Sequence, residues 1–182
     1  GELVLSVAVD DVANVVVLRA DRNLIWLNAE GELVDDRTLD GFSAKAALIE
    51  SELYIGQSES IYRIDGPTSV AEEIFILSGA GGIASIQGLD NGRLVATGGN
   101  GAVATFEPDG SDPTTFPLVH GPITLLEDNV LLRINGPIQR LESSSFEEIG
   151  STIRSTGAAL MDERTLLVVG EDDVVTVELP EP

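Results

Sequence analysis

Ile83-Ala84-Ser85-Ile86-Gln87-Gly88-Leu89-Asp90-Asn91-Gly92-Arg93-Leu94-Val95-Ala96-Thr97-Gly98-Gly99-Asn100-Gly101-Ala102-Val103-Ala104-Thr105-Phe106 reads as three short strands joined by two tight turns. The strands are rich in β-branched residues, and Asp90-Asn91-Gly92 and Gly98-Gly99-Asn100-Gly101 supply turn chemistry between them. The central apolar run, Arg93 to Thr97, has counterparts along the whole chain: Asn14 to Leu18, Glu52 to Ile55, Asn129 to Leu132 and Thr165 to Val169. Taken in chain order, the starts of these runs lie 38, 41, 36 and 36 residues apart. A period of that size marks stacked or radially arranged supersecondary units.

Strand signals dominate elsewhere too. Val15 to Leu18, Leu24 to Leu27, Ile61 to Ile64, Ile74 to Leu77, Leu94 to Thr97, Val103 to Phe106 and Val174 to Leu179 are short and apolar, and Gly, Asn, Asp or Pro bounds them. Ala44 to Glu52 has some helical character, but it falls where each other unit places its first strand and is assigned as strand. The chain is 182 residues long, which suits one domain able to bury roughly 70% of its unfolded surface.

The third unit resembles a WD40-type blade in its order of strand, D-x-G turn, strand, Gly-rich turn and strand. The stretch Leu24-Ile25-Trp26-Leu27-Asn28-Ala29-Glu30-Gly31-Glu32-Leu33-Val34 is similar to the last hairpin of a quinoprotein-type repeat. Both resemblances imply an all-β fold, a small β-propeller of about five blades with short antiparallel strands. The blades would span 5–41, 42–80, 81–120, 121–156 and 157–182, the last completed by residues 1–4. Gly1-Glu2-Leu3-Val4 repeats Gly31-Glu32-Leu33-Val34, so the N-terminus is expected to pair with Val174 to Leu179 and close the ring. The Trp-Asp pair of WD40 blades is replaced by Thr105-Phe106, Leu27-Asn28 and Ile64-Asp65, and Trp26 is the sole tryptophan. Neither family's hydrogen-bond network nor a quinone is therefore implied, and no cofactor is expected.

No residue pattern announces catalysis. Without cysteine, thiol nucleophiles, thiolate metal sites and disulfides are excluded. His120, the single histidine, cannot build a histidine-rich metal site and reads as a rim residue on a connection between blades. Ser43 and Lys45 share a strand face and would make a nucleophile and base only in a desolvated pocket that the sequence does not announce. The Gly98 to Gly101 turn joins two strands and lacks the following helix that a phosphate loop requires. Asp10-Asp11, Asp35-Asp36 and Glu171-Asp172-Asp173 lack the alternating spacing of a calcium loop and read as solvated turns.

With the four strands of a blade lettered a to d, the propeller resemblance implies a partner site where the b–c and d–a loops converge. That face would carry Arg19, Arg22, Phe42, Gln57, Asn100, His120 and Asn135, and the expected function is a non-enzymatic scaffold that binds another protein. A hydrolase or lyase with carboxylates at the channel mouth is the alternative, as is a fragment of a larger surface or assembly protein. Arg19 and Arg22 bracket one b–c turn, where they would either grip a carboxylate on a partner or pair locally with Asp21.

Charge supports the same picture. Thirty-one acidic residues face ten basic ones, a net charge of −21, and Lys45 is the only lysine. This pattern reads as adaptation to high salt, where counter-ions screen the self-repulsion. It disfavours a nucleic-acid partner. No run of 18 apolar residues is present, so no helical membrane span is expected. The cytoplasm of a salt-adapted cell is the expected setting, or the exterior if an upstream signal has been removed. If screening is required, the Tm should rise steeply between about 0.1 M KCl, where the Debye length is ~10 Å, and about 1 M, where it is ~3 Å. A flat Tm across that range would exclude salt adaptation.

Overall fold

Short apolar strands separated by tight turns pair, among the described residues, into five antiparallel sheets. The computed structural model describes residues 3–10, 12–40, 45–89, 91–116, 123–125, 130–133, 136–141, 146–153, 157–162, 165–169 and 174–179. The first sheet contains β1 (Val4–Val9), β2 (Val15–Arg19), β3 (Asn23–Leu27) and β4 (Leu33–Thr38), paired in sequence order. The second contains β5 (Lys45–Ile49), β6 (Glu52–Gln57), β7 (Ser60–Ile64) and β8 (Glu72–Ile76). The third contains β9 (Ile83–Gly88), β10 (Leu94–Gly98), β11 (Val103–Phe106) and β12 (Thr114–Phe116). The fourth has β13 (Ile123–Leu125), β14 (Val130–Arg133), β15 (Gly136–Leu141) and β16 (Phe146–Ile153), and the fifth β17 (Gly157–Asp162), β18 (Thr165–Val169) and β19 (Val174–Glu178).

The turns between strands share one device. Asp10, Asp21, Asn28, Asn91, Asn100 and Asp109 each accept, through a side-chain oxygen, the backbone N–H two residues on. Such a side chain imitates the missing backbone partner and lets the chain reverse within a few residues. Gly31, Gly92, Gly101 and Gly110 then supply the positive φ that completes four of these turns. Arg22 takes that conformation in another, at φ 71°.

The first strands of consecutive sheets adjoin one another, β1 against β5, β5 against β9 and β9 against β13, as in a radial arrangement with these strands innermost. Ser6 on β1 stitches the first two, its hydroxyl donating to the Ala46 carbonyl at 3.3 Å and accepting from the Ala46 N–H at 3.2 Å.

The second and third sheets bury both faces. Val16, Leu18, Leu24 and Trp26 of the first sheet pack against Leu53, Ile55 and Ile64 of the second. On the opposite face of β6, Tyr54 joins Ile61, Ile83, Ile86, Leu94 and Phe106 between the second and third sheets. The rings of Phe75 and Phe106 stack across that interface with centroids 4.5 Å apart. Tyr54 is wholly buried, and its hydroxyl donates to Glu52 Oε2 at 2.6 Å. Burial and the neighbouring carboxylate together push that phenol far above its ordinary pKa.

The expected ring closure through the N-terminus is corrected by the pairing of β1. Val4 lies opposite Arg19, and the Leu3 carbonyl accepts the Ala20 N–H at 2.9 Å, so both residues belong to the first sheet. The reason is length: the first unit needs Val4 to Val9 as its own a strand ahead of the Asp10 turn. The face of the first sheet turned away from the second presents Val7, Val9 and Leu33, which are 55%, 56% and 62% exposed.

The closeness of the sheets depends on glycine. A Cβ at Gly56 would lie 2.6 Å from the Ile83 side chain, and one at Gly98 would lie 2.6 Å from the Ala80 carbonyl oxygen and 2.8 Å from its Cα. Gly98 meets main chain, which has little room to move. Gly98→Ala should therefore lower the Tm by roughly 3–10 °C through overpacking. Gly66→Ala, where the nearest atom is a serine hydroxyl 3.8 Å away, should leave it unchanged. Equal melts for wild type and Gly98→Ala in thermal denaturation would refute the close approach.

Candidate functional site

One end of the sheets gathers b–c turns and the connections between sheets, and there the loops lock together. The connection from β8 to β9, residues 77–82, lies between the β6–β7 turn and the β10–β11 turn. From the first side, Glu59 accepts the Gly79 N–H at 3.1 Å and the Gly81 N–H at 3.4 Å through its two carboxylate oxygens. Backbone bonds reinforce that side, Leu77 N–H to the Glu59 carbonyl and Ile83 N–H to the Ser58 carbonyl, both at 2.8 Å. From the second, the Asn100 side-chain amide donates to the Gly79 carbonyl, while the N–H groups of Gly99 and Asn100 donate to the Gly82 and Ala80 carbonyls. A connection held from both sides presents a preorganised surface.

Asn100 thus stands on this face as a structural clamp as well as a surface residue. Arg19 and Arg22 bracket the β2–β3 turn but differ in environment. Arg19 is mostly buried and pairs with Asp21 at 2.6 Å, the local pairing that the sequence left open. Arg22 is exposed, and its carbonyl accepts the Leu39 N–H at 2.9 Å, which joins this turn to the connection leading out of the first sheet. Gln57 ends β6 next to the Ser58–Glu59 turn. It lines a cavity of about 330 Å³ between the first and second sheets, together with Arg37, Asp40, Ile55, Tyr62 and Ile64. Phe42, His120 and Asn135 lie outside the described residues, as do Ser43, Asp11 and Glu171 to Asp173.

Sequence reasoning missed how the arginines are used. Arg37 pairs with Asp35 at 2.5 Å, Arg63 with Asp65 at 2.9 Å and Glu72 at 3.4 Å, and Arg93 with Glu107 at 2.7 Å and Asp112 at 3.0 Å. Arg22 makes no ion pair among the described residues. The i, i+2 spacing in Arg19/Asp21, Asp35/Arg37 and Arg63/Asp65 was a usable signal, since it places both side chains on one side of an extended or tightly turned segment.

Among the described residues, the carboxylates that depart clearly from their ordinary pKa move down. At Asp10, partial burial works upward, but hydrogen bonds from the Asn14 side chain and backbone, Val12 and Ser51 outweigh it. At Asp21 burial is likewise outweighed, by Arg19 and the Asn23 N–H. At Asp109 the hydrogen bonds from Ser111 dominate. Among the described residues, no group of three or more His, Asp or Glu is arranged to hold a metal ion.

With this geometry in hand, comparison with solved structures defines the architecture. The chain is similar to virginiamycin B lyase from Staphylococcus aureus, with 18% identity and a TM-score of 0.72 over 98% of this chain and 71% of that one. It is similar to BamB from Moraxella catarrhalis at 16% identity and a TM-score of 0.71, covering 96% of this chain and 58% of the other. The computationally designed Ika8 protein gives 13% identity, a TM-score of 0.72 and the same two coverages of 96% and 58%. The fold is that of a β-propeller. No family model and no curated protein sequence matches the chain.

A depressed carboxylate pKa stabilises the folded state at pH values above the unfolded pKa, and the contribution is lost as pH falls through the folded value. Asp10→Ala should therefore melt below wild type at pH 6. The gap should narrow as pH falls from about 4 toward 2, because the wild-type carboxyl becomes protonated there. A gap that is constant across that range would show that the Asp10 turn does not depend on its charge.

Proposed function

We propose that this propeller is a non-enzymatic binding module that engages another protein through the face of b–c turns and inter-sheet connections. The observation that carries this reading is the exposed Arg22. Four of the five arginines with described side chains, Arg19, Arg37, Arg63 and Arg93, are paired with carboxylates of their own sheet. A chain with net charge −21 has few cations to spare, and Arg22 sits on a turn whose backbone is bonded to the connection leaving the first sheet. A guanidinium so placed suits bidentate contact with a carboxylate on a partner. Asn100 belongs to the same face, and Phe42, His120 and Asn135 are assigned to it by sequence position.

The WD40-like character and the adaptation to high salt belong to this proposal, as does a cytoplasmic setting in a salt-adapted cell. The alternative reading, a lyase or hydrolase on the same scaffold, draws on the likeness to the S. aureus lyase. A likeness at 18% identity extends to fold, and the described carboxylates with shifted pKa move away from the protonated state that a general acid needs.

The test is affinity capture at high salt with wild type and Arg22→Gln, read by quantitative mass spectrometry. At least one protein should fall about tenfold in the variant, the size expected for one lost contact of hot-spot character. The Tm should be unaltered, because Arg22 makes no ion pair among the described residues. A specific partner that is retained equally by both forms would remove Arg22 from the interface.

A further inference from the structure

The first sheet carries an apolar face that is left open among the described residues, and it is independent of the loop-face reading. The strand pairing sets it out: Val9, Val15, Leu27 and Leu33 stand in one row across all four strands, and Val7, Val17 and Ile25 stand in the next, which Asp36 closes at the outer edge. Residues paired across antiparallel strands share one side of the sheet. The opposite side, with Val16, Leu18, Leu24 and Trp26, is the one that packs against the second sheet. Val7, Val9 and Leu33 are exposed and the other four apolar residues are half-buried, so the patch is continuous over the sheet. An exposed apolar patch of that extent marks an interaction surface.

The way the sheets pack within the chain says what kind of surface fits there. Val16 and Leu18 of β2 meet Leu53 and Ile55 of β6, while Tyr54, on the other side of β6, meets Leu94 and Phe106 of the third sheet. Both contacts join the onward face of one sheet to the receiving face of the next. The open face of the first sheet is a receiving face, and its complement is an onward face. The fifth sheet, last in chain order, supplies one. It buries Leu166 and Val168, whereas Val169 and Val174, paired on its other side, are 39% and 60% exposed. Leu167 stands on that same side, two residues before Val169.

A second copy of the chain therefore carries the complement of each open face, and area decides how many contacts form. With strands ~4.8 Å apart and ~3.4 Å per residue, a face of about four strands and five residues covers roughly 300 Å² in projection. One sheet-on-sheet contact then buries about 600 Å² over both partners, short of the ~1,000 Å² that a stable interface needs, and two contacts reach it. A twofold pair, in which the first sheet of each copy meets the fifth sheet of the other, makes both contacts at once and covers both open faces. We infer that the chain pairs with a second copy of itself, the face of Val7, Val9 and Leu33 packing on the face of Val169 and Val174 of the other copy.

The test is sedimentation equilibrium of the 182-residue chain in about 1 M KCl, where a Debye length of ~3 Å screens the repulsion between two copies that each carry a charge of −21. At about 50 µM the mass should be twice that of the chain, as expected for a micromolar dissociation constant from an interface of this size. Val7→Arg and Val174→Glu, both at exposed positions, should each give single chains at wild-type Tm. An equimolar mixture of the two variants should regain the doubled mass, because one contact then keeps both native faces and the other brings opposite charges together. A wild type that stays single up to about 100 µM, or a mass that climbs past two copies, would overturn the assignment. Pairing that survives Val174→Glu would show two first sheets packed on each other and would overturn it as well, as would a mixture that stays single.

Discussion

The described core depends on two sheets, the second and third, that are buried on both faces. An antiparallel sheet with one wet face alternates along each strand, as β2 does, where buried and half-buried residues take turns. In β10 of the third sheet every residue from Leu94 to Gly98 is buried. Only close approach from two sides produces that pattern, and it is glycine that permits the approach. Gly56 and Gly98 occupy places where the neighbouring unit comes within the space of a methyl group. The same constraint explains the small residues of the innermost strands, where Ser6 reaches the Ala46 backbone directly. The units therefore interlock by shape, with aromatic stacking of Phe75 on Phe106 filling the wider part of one interface.

The requirement also explains which parts of the structure were legible in the sequence. The b strands announce themselves because burial on both faces demands continuous apolar runs, and Glu52 to Ile55 and Arg93 to Thr97 sit inside β6 and β10 almost to the residue. The turns were legible because Asp, Asn and Gly at fixed places have few other uses in such short connections. Sequence similarity misled at the N-terminus. Gly1 to Val4 and Gly31 to Val34 share four letters, yet Val34 lies in a fourth strand and Val4 in a first. Strand position is set by which neighbours remain to be paired, and a four-residue motif holds no information about that.

The candidate site was less legible, for a different physical reason. Arg22 and Asn100 could be placed by their turns, since a turn residue's position follows from the hairpin that contains it. Gln57 ends the strand before a turn, and its environment is decided by the neighbouring sheet. The cavity it lines is made by residues 37–40 facing 55–64 across an interface, and no local pattern encodes that distance. Arg37 illustrates the point: its partner Asp35 is two residues away and readable, while its contact with the Ser69 carbonyl crosses 32 positions.

Charge gives the last step. Under the proposed high-salt setting, exposed ion pairs are heavily screened and contribute little. The described arginine pairs do not follow the pattern of fully exposed pairs. The Arg19, Arg37, Arg63 and Arg93 side chains are only 17–24% exposed, while most of their carboxylate partners extend further into solvent. The guanidinium stem packs against the sheet and the acid closes over it from outside, which shields the contact from bulk ions more effectively than a pair in open water. Such pairs neutralise positive charge inside the fold and leave the acidic surplus at the surface. Cations left exposed in this molecule are then exceptions to how its charges are arranged, and among the described side chains Arg22 and Lys45 are those exceptions.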